Sequence, residues 1–149
     1  MFFTDFKILL YNFFMIDAGY LEIEHTADWE IEAWAPSVVQ LIEQTAKGMY
    51  SLINPILVDE KRVTRSIMVK SHDHEGVIVG FLNELLFVLE QEGLAFTKYK
   101  ITLDGFNLSA EVSGASVSQV DKQIKAATWH KVAIVQKERY LTIRIVFDV

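Results

Sequence analysis

The segment LEIEHTADWEIEAW, residues 21–34, determines how the rest of this sequence is interpreted. Apolar and acidic residues alternate along it from Leu21 to Ala33. A period of two is typical of a β-strand with one buried face, so the segment predicts an opening strand or strand pair. The polar cluster HTAD interrupts this alternation. The question is therefore whether Asp28 is an ordinary solvated carboxylate or a ligand.

The next segment predicts an amphipathic helix. Ser37 is a suitable N-cap, and Gln40 stands three residues later as in a capping box. Apolar residues then recur at helical spacing until Asn54-Pro55, where the helix is expected to end. A short strand is expected from about residue 64 to residue 70.

A second helix is predicted from about Asp73 to Glu92, with Gly93 as its C-cap. Its apolar residues cover most of its circumference, which is typical of a largely buried helix. Asn83 and Glu84 are polar residues in this helix. Because an unpaired buried carboxylate is costly, both are expected to have partners.

The residue pattern of the last third of the chain predicts β-strands. We expect strands around 99–103 and 108–112 joined by a tight turn at Asp104-Gly105, a polar loop over 113–121, and strands over 124–135 and 141–148. Two helices with hairpin-linked strands predict an α+β fold, with a small, largely antiparallel β-sheet or β-barrel. The predicted element order is β-α-β-α-β-β-β-β.

Composition narrows the classes of protein to consider. The 149 residues carry a net charge of −6 and no cysteine. The length suits one domain, and the absence of a Lys/Arg cluster argues against direct binding of nucleic acid. Disulfides and thiolate metal sites are excluded, which suits a cytoplasmic protein.

Residues 1–19 are treated separately from the domain expected over residues 20–149. This extension is strongly apolar, with aromatic and aliphatic residues at helical spacing, but it is too short to span a membrane as a helix. One interpretation is a peripheral docking helix. The other is an upstream start codon, with Met15 as the native first residue.

Two groups of residues are candidate metal ligands. His72-Asp73-His74 has suitable donors, but Asp73 is also a natural N-cap, and we favour that role. Asp28 and Asp148 would converge with the terminal carboxylate of Val149 if the first and last strands are neighbours. Such oxygen donors suit Ca²⁺, Mg²⁺ or Mn²⁺, and the competing interpretation is two unrelated surface acids.

A further cluster occurs in KAATWH, residues 125–130. On a strand Thr128 and His130 share a face, while Lys125 points to the other face unless a bulge intervenes. A lysine beside carboxylates is suited to binding phosphate or to pairing with an acid, and an exposed strand lysine is the simpler interpretation.

Several separated motifs together resemble one family. They are HTAD at 25–28, FLNELLF at 81–87, EG at 92–93, KAATWH at 125–130 and a closing FDV at 147–149. In this order and spacing they are similar to the archease family over residues 20–149. The sequence departs from the family pattern at Trp29-Glu30 and Ala35, positions that affect strand shape more than the site.

The resemblance implies a small α+β, barrel-like domain that is not itself an enzyme. It implies a protein cofactor of the RtcB-type tRNA-splicing ligase, which promotes guanylylation of the ligase's active-site histidine and repeated turnover. By the same resemblance Asp28, Asp148 and Val149 would hold a divalent cation, with Ca²⁺ preferred over Mg²⁺ or Mn²⁺. Lys125 would belong to the functional cluster, supported by His25 and Glu84.

Two other functions are kept open. The family resemblance also allows a chaperone or specificity partner of an RNA methyltransferase, which would act through an exposed apolar patch. A metal-dependent hydrolase using the same acids is the other alternative, although no general base or nucleophile is evident.

Overall fold

The computed structural model describes residues 17–24, 28–58 and 61–149. Within them the chain forms nine strands and two helices in an α+β arrangement, and every strand pair is antiparallel. In chain order the elements are β1 (Gly19–Glu24), β2 (Trp29–Ala35), α1 (Val38–Ile53), β3 (Ile56–Leu57), β4 (Val63–Lys70), α2 (His74–Glu92), β5 (Leu94–Asp104), β6 (Asn107–Gln119), β7 (Ala126–Ala127), β8 (Val135–Gln136) and β9 (Leu141–Asp148).

The described strands form two separate sheets and not one closed barrel. In the first sheet β9 lies between β2 and the two short strands β7 and β8, and β1 pairs with the other side of β2. In the second sheet β6 is central and pairs with β4, β5 and β3. The expected antiparallel α+β fold is confirmed, with a sheet pair as its architecture.

Local capping chemistry sets the limits of both helices. The Ser37 hydroxyl accepts a hydrogen bond from the Gln40 N–H at 3.3 Å, and Asn54 ends α1 in a left-handed conformation. At α2 the Asp73 carboxylate accepts from the Gly76 N–H at 2.7 Å, so Asp73 is the N-cap. Gly93 ends α2 at φ 66°, a conformation that glycine adopts without a steric penalty.

The two helices connect the sheets through one core. α1 packs against β1 and β2 of the first sheet and β5 of the second, whereas α2 packs against β4, β5 and β7. The largest fully buried side chains include Phe81 of α2, Phe96 of β5 and Ile31 of β2. The prediction that α2 is largely buried is confirmed, because its buried residues lie on several sides of the helix. Neither described helix is long and apolar enough to cross a membrane.

Two expectations for the last third of the chain are wrong. The expected polar loop over 113–121 is mostly strand, since β6 continues to Gln119. Small residues are required there because β5 approaches closely: a Cβ on Gly114 would lie 1.8 Å from the Ala95 carbonyl oxygen. The strand expected over 124–135 is reduced to β7 and β8, and Lys131 lies between them at φ 53°.

The opening segment forms the paired strands β1 and β2, and their apolar side chains point to opposite faces of the sheet. The register pairs Leu21 with Glu32 and Glu22 with Ile31. Residues that pair directly share a face of the sheet, so Leu21 lies on the face opposite to Ile31. The single alternation seen in the sequence from Leu21 to Ala33 is therefore divided between two faces.

Candidate functional site

Strand ends from three parts of the chain meet at one edge of the first sheet. The last recorded pair between β2 and β9 is Trp29 with Phe147, and this register continued by one residue sets Asp28 beside Asp148. On the other side of β9, Ala126 of β7 pairs with Asp148. The structure thus pairs residues 126 and 148, and residue 28 follows one position beyond the last recorded pair of β2 with β9.

Asp28 and Asp148 extend the outer face of the sheet, the face turned away from the helices. Inward-facing Ile145 and Phe147 are buried, whereas Arg144 and Asp148 are exposed and alternate with them. Side chains at directly opposed antiparallel positions have Cβ atoms roughly 4.5–5.5 Å apart. Asp28 and Asp148 are both exposed, and the register continued by one residue would set their carboxylates at opposed positions, with the exposed Val149 next along the chain.

Lys125 lies near the end of β9, one residue before Ala126, which is the residue opposite Asp148. Its backbone N–H donates to the Asp148 carbonyl oxygen at 2.8 Å, which fixes the main chain of Lys125 next to the end of β9. Because Ala126 is the residue opposite Asp148, Lys125 alternates to the other face. Among the described residues, no ion pair links Lys125 to Asp28 or Asp148.

A cavity of about 800 Å³ lies on the side of the sheet to which Lys125 turns. Its walls come from the second half of α2, the end of β6 and the loop that leads into β7. Lys125 and Lys122 contribute to these walls together with Glu90, and the rest of the lining is a mixture of apolar and uncharged polar residues. The ammonium group of Lys122 also lies 4.0 Å from the centre of the Trp29 ring.

The short strand β7 is anchored to α2 by one side chain. The Asn83 amide donates to the Ala127 carbonyl oxygen at 3.2 Å, and its oxygen accepts from the Ala127 N–H at 2.8 Å. These are the two bonds that a further strand would make at the free edge of β7. Asn83 therefore has the partner expected from the sequence. Glu84 is exposed, so its carboxylate does not need the partner that was expected for it.

The residues after β7 turn away from the sheet at a fixed point. The Thr128 hydroxyl donates to the Val146 carbonyl oxygen at 2.9 Å and accepts from the His130 N–H at 3.3 Å. Trp129, between them, is 62% exposed. Thr128 thus positions the turn, while the His130 side chain is exposed near the site. His25 lies outside the described residues.

The donor chemistry of the edge suits a hard cation. Within residues 17–24, 28–58 and 61–149, no group of three or more His, Cys, Asp or Glu side chains is arranged to hold a metal. The expected set contains two carboxylate side chains and the Val149 carboxylate. Since Ca²⁺ takes six to eight oxygen ligands, water or a partner protein would complete such a site. His72 and His74 flank the N-cap of α2, where the His74 ring meets the edge of Phe106.

Sequence reasoning missed two features of this region. The contact of Lys122 with Trp29 joins residues far apart in the chain, and no local pattern indicates it. The role of Asn83 had a signal, namely an amide in an otherwise apolar helix, but its partner Ala127 has no distinctive side chain.

Known proteins similar to this chain belong to one family. Residues 20–149 match the model of the Archease protein family. A Pyrococcus abyssi protein archease is 29% identical over 119 residues, covering 74% of this chain and 84% of the relative. The Methanothermobacter thermautotrophicus protein archease is 23% identical over 137 residues, covering 87% and 98% respectively.

Two solved structures share the fold. A crystal structure of an archease from Thermotoga maritima, described as a possible chaperone, superimposes with a TM-score of 0.65 at 23% identity, covering 85% of this chain and 94% of that one. The solution structure of protein 1598 from Methanobacterium thermoautotrophicum gives a TM-score of 0.67 at 20% identity, covering 88% and 99%.

Proposed function

The chain belongs to the archease family, and from this premise we propose that it is a non-catalytic protein cofactor of an RtcB-type RNA ligase. In this role it stimulates guanylylation and turnover of the ligase in tRNA splicing and RNA repair. The observation that supports the proposal is the β2–β9 register, whose last pair, Trp29 with Phe147, stands one residue before Asp28 and Asp148, together with the backbone bond from Lys125 to Asp148.

Asp28 and Asp148 would hold one divalent cation, together with the carboxylate of Val149. Carboxylate oxygens favour Ca²⁺, Mg²⁺ or Mn²⁺ over zinc, and Ca²⁺ tolerates an open, irregular site best. When bound, the ion supplies positive charge that can attract a phosphate or a partner carboxylate. The chain's own contribution is to keep two acids side by side on an exposed strand end, which partner proteins can reach.

Lys125 supplies a second positive charge whose position is set by the main chain. Its N–H bond to Asp148 and the anchoring of Ala127 by Asn83 fix β7 on both of its edges. The ammonium group is exposed and free to contact a phosphate of the ligase's nucleotide or an acidic side chain. Orientation of groups that react on the ligase is the physical effect expected of such a contact.

The overall charge supports a protein partner. At a net charge of −6 the chain would repel an RNA backbone, and its acidic strand end is suited to a basic surface on the ligase. RNA would then be bound by the ligase and not by this chain.

The decisive experiment is single-turnover guanylylation of the cognate ligase with and without this protein. Wild type is expected to stimulate, and Asp28→Ala is expected to abolish stimulation while leaving the fold intact. Asp104→Ala is the matched control, because Asp104 is an exposed acid at the end of β5, away from the first sheet. Normal stimulation by Asp28→Ala would refute the role of the acid pair, and no stimulation by folded wild type would refute the cofactor role.

A second candidate is a chaperone-like or methyltransferase-partner role. It is favoured by the large exposed apolar residues Trp129 and Phe87, which are 62% and 58% exposed. This function predicts suppression of aggregation of an RNA methyltransferase that persists in Asp28→Ala and is lost in the double variant Phe87→Ser/Trp129→Ser. The opposite pattern would exclude it.

A further inference from the structure

The outer face of the first sheet carries large apolar side chains on its β1–β2 side. The register pairs Gly19 with Trp34, Leu21 with Glu32 and Ile23 with Glu30, so Leu21, Ile23 and Trp34 share this face. The residues between them in β1 turn towards α1, since the Glu22 carboxylate accepts from the Ser51 hydroxyl at 3.3 Å. The helices therefore cannot bury this apolar surface.

Leu21 and Trp34 are nevertheless buried, and Ile23 is half-buried. Leu21 is 8% exposed and Trp34 is 5% exposed, yet neither belongs to the core cluster that joins the helices and sheets. Thr142 of β9, which pairs with Trp34 on the same face, is 8% exposed. Near Asp28 and Asp148 the same face is exposed to solvent, since Arg144 is exposed as well as the two acids. The burial is thus confined to the half of the face remote from the candidate site.

We propose that this half of the outer face is the docking surface for residues 1–16 of the same chain. The segment joins the described chain at Asp17, two residues before β1, so it begins beside the surface in question. The match to the family model covers residues 20–149, so residues 1–16 lie outside the matched domain. Its apolar composition complements a sheet face that presents Leu21, Ile23 and Trp34.

The length of the segment is sufficient for this role. Neighbouring strands lie about 4.8 Å apart, so β1, β2 and β9 span roughly 10 Å between their axes. Sixteen residues would extend about 24 Å as a helix and further as an extended chain. The segment can therefore cross all three strands without reaching the end of the sheet where Asp28 and Asp148 lie.

Thiol labelling provides the first test, because the chain has no cysteine of its own. Leu21→Cys is compared in the full chain and in a chain that starts at Met15, with exposed Met68→Cys and core Ala46→Cys as controls. We expect Leu21→Cys to react at least tenfold faster in the shortened chain, with both controls unchanged. Equal rates for Leu21→Cys in the two chains, with Ala46→Cys protected in both, would overturn the proposal.

A second test uses only the full chain, so it does not depend on folding of the shortened one. A bimane label is placed at Phe6→Cys in a protein whose sole tryptophan is Trp34, after Trp29→Phe and Trp129→Phe. Contact with tryptophan quenches bimane, so emission is expected to rise when Trp34→Phe is added, at all protein concentrations. Emission unaffected by Trp34→Phe contradicts the docking, and quenching that disappears on dilution assigns the surface to a second copy instead.

Discussion

Replacing Asn83 with alanine isolates the anchor between α2 and β7. The substitution removes both hydrogen bonds to Ala127, whose N–H and carbonyl then lack partners at the edge of the sheet. Ala127 is only 4% exposed, so water reaches these groups poorly. Leaving a buried polar group unpaired costs about 1–3 kcal/mol, and partial access of water through the half-buried Asn83 position lowers the total. We expect Asn83→Ala to reduce the free energy of unfolding by about 2–3 kcal/mol.

Urea unfolding followed by circular dichroism measures this loss directly. For a chain of this length, 1 kcal/mol corresponds to roughly 2–4 °C, so the melting temperature is expected to fall by about 4–12 °C. Glu84→Ala is the control. Glu84 is exposed and follows Asn83 on the same helix, so its replacement should change the free energy of unfolding by less than about 0.5 kcal/mol. Asn83→Asp keeps the acceptor for the Ala127 N–H but faces the Ala127 carbonyl with a second oxygen, and it should cost at least as much as alanine. If Asn83→Ala unfolds within 0.5 kcal/mol of wild type, the amide does not anchor β7.

Other predictions concern the close approach of β5 to Gly114 and the hydroxyl groups of Tyr50 and Tyr99. Gly114→Val should destabilise the chain by more than about 3 kcal/mol in thermal melts, because even the first side-chain carbon would overlap the Ala95 carbonyl, while exposed Ser116→Val should have little effect. Tyr99→Phe should cost about 1 kcal/mol in urea unfolding through loss of its 2.7 Å bond to the Phe96 carbonyl. Tyr50→Phe should be neutral or stabilising, because the buried Tyr50 hydroxyl has no hydrogen-bond partner among the described residues; a larger loss than for Tyr99→Phe would contradict this. Burial raises the pKa of Tyr50 and of Tyr99 above the ordinary value of 10.0, so both stay neutral in the fold while the unfolded phenols ionise. The free energy of unfolding should therefore fall as the pH rises above about 10, and it should fall less steeply in the double variant Tyr50→Phe/Tyr99→Phe. Chemical denaturation at about pH 9–11 measures this dependence. Equal slopes of unfolding free energy against pH in the two proteins would show that the two phenols do not contribute.

The features that local chemistry determines could be predicted from the sequence. Ser37 and Asp73 cap helices because their side chains reach backbone N–H groups three residues away, and Gly93 ends α2 because only its own backbone conformation is involved. The alternation in β9 likewise shows which of its residues face inwards, because one face of that strand meets the core along its whole length.

The features that depend on distant partners could not be predicted in the same way. From the sequence, Gly114 and the small residues beside it predict a loop. The residue at position 114 must be small because the backbone of Ala95 on another strand lies close to it, and no local pattern shows this. In the opening hairpin the phase of β1 relative to β2 depends on the turn between them, so Leu21 and Ile31 occupy opposite faces despite a continuous pattern. The β2–β9 pairing, which leads towards Asp28 and Asp148, joins strands more than 100 residues apart, and the sequence analysis could only assume that these strands are neighbours.

The central position of β9 has a consequence for synthesis of the protein. β9 is made after all the other strands, yet it lies between β2, near the start of the described chain, and the pair β7 and β8. While the ribosome is still adding residues, β2 has only β1 as a partner, and the apolar side chains of α1 have only part of their cover. Loop closure over nearly the whole chain must precede the β2–β9 pairing, which is a slow class of folding step. The nascent chain should therefore remain protease-sensitive in residues 29–35 until β9 has been synthesised, whereas β4, β5 and β6 can pair before that.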